Sequence, residues 1–137
     1  MMLQTRTDGE RLRVAVVGCG HLGTIHARLL AARQDVTLVA VADPVADARR
    51  RVAEAHGCDA VAAPEALVGR VDAVVVAAPT FLHEEVSLPL LAAGVDLLVE
   101  KPIAADSVGA ARIVAAAERQ GRVVAVGHVE RFNPAWA

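Results

Sequence analysis

The stretch "VVGCGHLGTIHARLL", Val16 to Leu30, decides how the chain is read. An apolar run ending at Val17 meets Gly18, Gly20 and Gly23, and a helical pattern opens immediately. In that spacing Gly18 permits a tight turn, Gly20 lets the backbone approach a diphosphate, and Gly23 lets the helix pack closely on the strand. The diphosphate would rest on free N–H groups at the positive end of the helix dipole. The same glycines also suit a plain strand-to-helix turn. A GxGxxG alone is weak, and its place between strand and helix is the context that the phosphate reading requires. Cys19, His21 and Leu22 fill the remaining places of the candidate loop. The spacing predicts a helix over residues 20–33 burying Leu22, Ile25 and Leu29.

Asp43 is the second signal. It closes the run "VAVAD" twenty positions beyond Gly23, where an acid grips the ribose hydroxyls of an adenosine. Its carboxylate would repel a 2′-phosphate, which favours NAD over NADP. Arg49, Arg50 and Arg51 follow within two helical turns and could tolerate a phosphate, or simply form a solvated face.

Outward from these residues, Val-rich runs alternate with helical patterns. Strands are expected at residues 13–17, 36–42, 60–62, 73–77, 95–99 and 123–127. A helix carrying Val45, Ala48, Val52 and Ala55 follows the second strand. Another spans 81–93, with Pro89 requiring a kink or a late start. A third is capped by Asp106 or Ser107, carries Ala110, Ile113, Val114 and Ala117, and closes at Gly121. Six strands joined by helical crossovers give an α/β fold, a doubly wound parallel sheet of the Rossmann type. We divide the chain into a polar tail at 1–11, a dinucleotide-binding domain at 12–130, and the start of a connection at 131–137.

Composition narrows the function classes. The 137 residues are 55% hydrophobic with a formal net charge of −2, and no basic stripe argues for nucleic acid or an anionic membrane surface. The two cysteines, Cys19 and Cys58, form no CxxC, and residues 1–11 lack the apolar core of a secretory signal. A cytoplasmic protein with no metal site is expected. Phe132 and Trp136, near the end, would leave an apolar surface prone to self-association.

Three further stretches fall at the carboxyl ends of predicted strands, where ligands bind in open parallel sheets. They are Ala78-Pro79-Thr80, Glu100-Lys101-Pro102 and His128. Proline stops the strand and restricts the residue before it, so Lys101 is aimed outward at a fixed place. An ammonium there can hydrogen-bond a substrate hydroxyl or relay its proton as hydride leaves the adjacent carbon. A solvent-facing strand-end lysine is an equal alternative on spacing alone. His21 and His26 read as surface or packing residues.

Taken together, "VAVVGCGHLGTIHARLL", "VADP", "VVVAAPTFLHEE", "AAGVDLLVEKPIA" and "VGHVERFNPA" resemble the glucose–fructose oxidoreductase/inositol dehydrogenase/rhizopine-catabolism (Gfo/Idh/MocA) family. The resemblance runs from about Arg11 to the end, and the EKP triplet is its most specific part. It implies NAD(P)-dependent hydride transfer at a carbinol carbon of a sugar, cyclitol or nucleotide-sugar. It implies cofactor contacts for the Gly18–Gly23 loop and Asp43, and puts Pro79, Thr80 and His83 beside the nicotinamide half. Glu100 would hold the nicotinamide end and Lys101 would be the catalytic lysine. His128 and Arg131 would lie toward the substrate. Family members carry a second α/β domain, which binds substrate and often forms a homo-oligomer interface; this sequence is expected to lack it. The expectation is therefore a chain that binds NAD without turnover. The alternative is a stand-alone nucleotide-binding module, NADH-sensing or regulatory.

Overall fold

The computed structural model describes residues 9–127. The expectations for His128, Arg131, Phe132 and Trp136 lie outside the described residues. In chain order the elements are β1 (Leu12–Val17), α1 (His21–Ala31), β2 (Val36–Ala42), α2 (Ala46–His56), β3 (Asp59–Val61), β4 (Ala73–Val76), α3 (His83–Ala92), β5 (Asp96–Glu100), α4 (Ser107–Gln120) and β6 (Val124–Gly127). Short 3₁₀ turns at Pro64–Leu67 and Thr80–Leu82 precede β4 and α3. The strands form one sheet in the order β3-β2-β1-β4-β5-β6 with every pair parallel, as expected of a doubly wound sheet.

The strand order reverses between β1 and β4, and the helices divide accordingly. Val14 and Val16 pack with Ala27 of α1 and Val52 and Ala53 of α2. Their neighbours Ala15 and Val17 point the other way, into the layer holding Leu90, Leu91 and Ile113 of α3 and α4. Burial on both faces explains why Val14–Val17 of β1 and Ala73–Val76 of β4 are continuous apolar runs rather than alternating ones. The topology opens a crevice beyond the carboxyl ends of β1 and β4, the place where such sheets take ligands.

Three details differ from the expectations. In α1, Leu22 and Leu29 are about half exposed, and the buried residues are Gly23 and Ala27. The helix lies so close to β1 that only small side chains fit between them, which rotates the larger ones outward. In α2, Val45 is exposed ahead of the helix, the buried residues are Val52 and Ala53, and Ala48 packs beside them half-buried. In α3, Pro89 lies inside the helix instead of delaying its start. Of the two candidate caps of α4, Asp106 is the one used: its side chain accepts from the Gly109 amide at 2.7 Å.

At the sheet's amino-terminal edge, Asp72 accepts from the Arg13 amide (2.8 Å) and guanidinium (3.0 Å), and Asp96 accepts from the Val123 amide (2.9 Å). No helix among the described residues is long and apolar enough to cross a membrane.

Candidate functional site

The glycine loop is built as its spacing predicts, and each glycine has a separate reason. Gly18 has φ +103°, and a Cβ on it would stand 2.6 Å from the Ala77 carbonyl oxygen of the neighbouring strand end. A Cβ on Gly23 would fall 1.6 Å from the Gly18 carbonyl oxygen, so the first turn of α1 rests directly on the end of β1. Gly20 meets nothing within 4 Å. Packing does not require it, and the space beside it is open to an approaching anion. The helix starts with no side-chain cap and no acid in its first turn. Its first amides lack intrahelical partners and sit at the positive end of the dipole. His21 and Leu22 are exposed on that turn. The loop thus has the room and the donors that a diphosphate needs.

Asp43 follows β2 and is locked across the junction. One carboxylate oxygen accepts from the Cys19 amide and the other from the Val45 amide, both at 2.8 Å. Arg49 donates to the carbonyls of Asp43 (3.1 Å) and Pro44 (3.2 Å). One nitrogen of its guanidinium, Nη1, is therefore drawn to the backbone. Gly18, Asp43 and Pro79 line one cleft of about 470 Å³, together with Glu65 and Glu85. Neither glutamate is a candidate cofactor residue on the sequence alone. The signal that could have found them is position, since each follows shortly after the carboxyl end of a strand. The three carboxylates around one cleft favour a ligand whose ribose carries hydroxyls over one carrying a further phosphate.

Cys19 belongs to the loop through its backbone. Its side chain is buried, and burial, followed by the charge of Asp43, pushes the thiol up to about 11. Thiolate is the reactive form. Alkylation of Cys19 by iodoacetamide at pH 8 should therefore run about a hundredfold slower than that of an unperturbed thiol. Between pH 8 and pH 10 it should rise about tenfold per unit, read by mass spectrometry of the Cys19 peptide. A rate equal to that of free cysteine would show the thiol to be exposed.

The second group of residues gathers at the ends of β4 and β5. Pro79 precedes the turn opened by Thr80, and Lys101 is exposed at the end of β5, joined to Pro102 by a cis bond. His83 does not offer its ring to the cleft. It is 1% exposed, with Nδ1 2.9 Å from the Pro102 carbonyl oxygen and Nε2 2.8 Å from that of Ala78. Glu100 is likewise turned inward, its Oε1 2.5 Å from Nε2 of His26. In the sequence His26 reads as a surface or packing residue, because nothing local links a first-helix histidine to a glutamate seventy-four positions later. Among the described residues no group of three His, Cys, Asp or Glu is gathered to hold a metal.

The comparisons with known proteins agree with this fold. The family described as "Oxidoreductase family, NAD-binding Rossmann fold" (GFO_IDH_MocA) matches residues 12–128. UDP-N-acetylglucosamine 3-dehydrogenase of Acidithiobacillus ferrooxidans is 37% identical over 124 residues, covering 90% of this chain and 39% of that enzyme. Its solved structure superposes with a TM-score of 0.86 over 91% of this chain and 41% of the other. Inositol 2-dehydrogenase of an Arthrobacter species is 41% identical over 133 residues, covering 93% of this chain and 40% of the relative. The structure of GenD2 from gentamicin A biosynthesis, in complex with NAD, is 34% identical with a TM-score of 0.83, covering 93% of this chain and 37% of that one. The chain thus spans about 40% of the length of the curated relatives it matches.

Proposed function

The chain belongs to the Gfo/Idh/MocA oxidoreductase family, whose matching part is an NAD-binding Rossmann domain, and from that premise we propose that it is the cofactor-holding part of a sugar or nucleotide-sugar dehydrogenase. The observation that carries the reading is the uncapped start of α1 beside Gly20, with Asp43 fixed across the same loop. The diphosphate lies on the first amides of α1 and Asp43 binds the adenosine ribose. Pro79 and Thr80 flank the nicotinamide, which when bound accepts or gives the hydride. Lys101 stands next to the reacting carbinol, where its amine holds the hydroxyl and takes up or returns the proton. NAD is preferred to NADP for the charge reasons given above.

Hydride transfer needs the substrate carbon held about 3–3.5 Å from the nicotinamide. The 137-residue chain supplies one wall of such a pocket, so it binds NADH and turns over no sugar. Purified chain titrated with NADH tests this. At a hundredfold excess over the dissociation constant a ligand adds about 2.7 kcal/mol, a rise in Tm on the order of 10 °C for a domain of this size. Coenzyme A should give none. No shift with NADH would overturn the cofactor assignment. Lys101-dependent oxidation of myo-inositol or UDP-N-acetylglucosamine by this chain alone would overturn the inference about turnover.

A further inference from the structure

We propose that His26 and His83 are positioning residues that grip the Glu100–Lys101–Pro102 corner from opposite faces of the sheet and so set where the Lys101 amine stands. The proposal rests on the reading of Lys101 as the proton-handling residue beside a bound nicotinamide. Its support is an unusual distribution of polar groups. Among the described residues only three polar side chains are buried, His83, Ser87 and Glu100, and two of these three bear on the residues either side of Lys101. Burying polar groups is costly, and apolar side chains of similar volume stabilise a core at least as well. Gain in stability therefore does not explain why they stand there.

On the α1 face, His26 reaches over the sheet to Glu100, which is 6% exposed. The Glu100 carboxyl is pressed against β6: a Cβ on Gly127 would lie 3.0–3.1 Å from its three carboxyl atoms. The residue before Lys101 is thus held between a helix and a strand. On the α3 face, His83 bridges the carbonyls of Ala78 and Pro102. It ties the turn after β4 to the turn after β5, which contains the residue following Lys101. Carbonyl oxygens only accept, so the ring serves both with a proton on each nitrogen and one of them otherwise. A lysine side chain is long and flexible. Its aim depends on a backbone fixed on both sides, and a misplacement of about 1 Å at such a site is enough to lose binding and rate.

The test separates the nicotinamide half of the ligand from the rest. Calorimetry on the 137-residue chain compares NADH with ADP-ribose, which lacks the nicotinamide, for wild type, His26→Ala, His83→Ala and Gly127→Ala. Wild type should bind NADH more tightly than ADP-ribose. In each variant the ADP-ribose affinity should stay within about twofold while NADH loses about tenfold, because the displaced Glu100–Lys101–Pro102 corner borders the nicotinamide and not the adenosine half of the ligand. His26→Gln, which can still donate to Glu100, should recover the NADH advantage. Should His83→Ala fail to fold, His83→Leu, which fills the buried space without a donor, reads the Pro102 side by the same comparison, and Gly127→Ala reads the Glu100 side, since it displaces only the end of that side chain. An NADH advantage retained in His26→Ala and Gly127→Ala, or an equal loss for both ligands, would overturn the proposal. Wild type that binds no NADH would instead bring down the functional reading, and this inference with it.

Discussion

Gly23→Ala is expected to cost the chain its fold. The new Cβ would overlap the Gly18 carbonyl oxygen at 1.6 Å, a contact between two backbone segments that no rotamer change relieves. To accommodate it, α1 must lift from β1, opening the layer in which Ala27 is fully buried. Overpacking of side chains costs about 1–3 kcal/mol, and a clash with backbone exceeds that. We expect about 4 kcal/mol or more, a fall in Tm of about 15 °C, or recovery only as aggregate. Gly20→Ala is the control. Nothing stands within 4 Å of that position and its φ is −79°, so the melting curve should stay near wild type. The added methyl nonetheless occupies the approach of the diphosphate, and NADH affinity should drop. Circular dichroism melts and calorimetry on the two variants read the outcomes separately. A Gly23→Ala protein melting with wild type would mean that the loop and helix are spaced more widely than the structure has them.

Asp43→Ala should have the largest effect on cofactor binding. A hydrogen bond to a charged group contributes about 1.5–3 kcal/mol, so losing the contacts to the ribose weakens NADH by about 10- to 100-fold. Part of the loss comes from the loop itself, because Asp43 also receives the Cys19 and Val45 amides. Asp43→Asn separates the two contributions. The amide keeps one acceptor for the loop but loses the charge, so it should bind NADH with intermediate affinity and narrow the preference over NADPH. Glu65 and Glu85 remain on the cleft walls in either variant, and full reversal to NADPH is not expected. Wild type with equal affinity for NADH and NADPH would defeat the charge argument.

The parts of the fold that follow from local pattern were legible in the sequence. The Val-rich runs mark six strands, and the glycine spacing with Asp43 marks the loop between β1 and α1. What escaped depends on contacts between distant segments. The pattern of large apolar residues does not mark the buried face of α1. The helix instead approaches β1 through Gly23 and Ala27, leaving Leu22 and Leu29 outside. The family resemblance implies that His83 and Glu100 touch a ligand. Their side chains are bound to backbone carbonyls and to His26, partners 19 and 74 positions away for Pro102 and Glu100 respectively. No periodicity reports such pairings. Glu65 and Glu85 were passed over for a similar reason: the cleft that joins them exists only once β3 and β4 are assembled on either side of β1.

The carboxylates that fasten register, Asp72 and Asp96, stand at the amino-terminal edge of the sheet. The glycine loop and Asp43 stand at the other edge. This separation makes the lower rim the natural side for tethering. A chain anchored to a sensor chip through a cysteine introduced beside Asp72 would present its nucleotide face to the flow. Its signal would then report ligand capture rather than strain from the attachment.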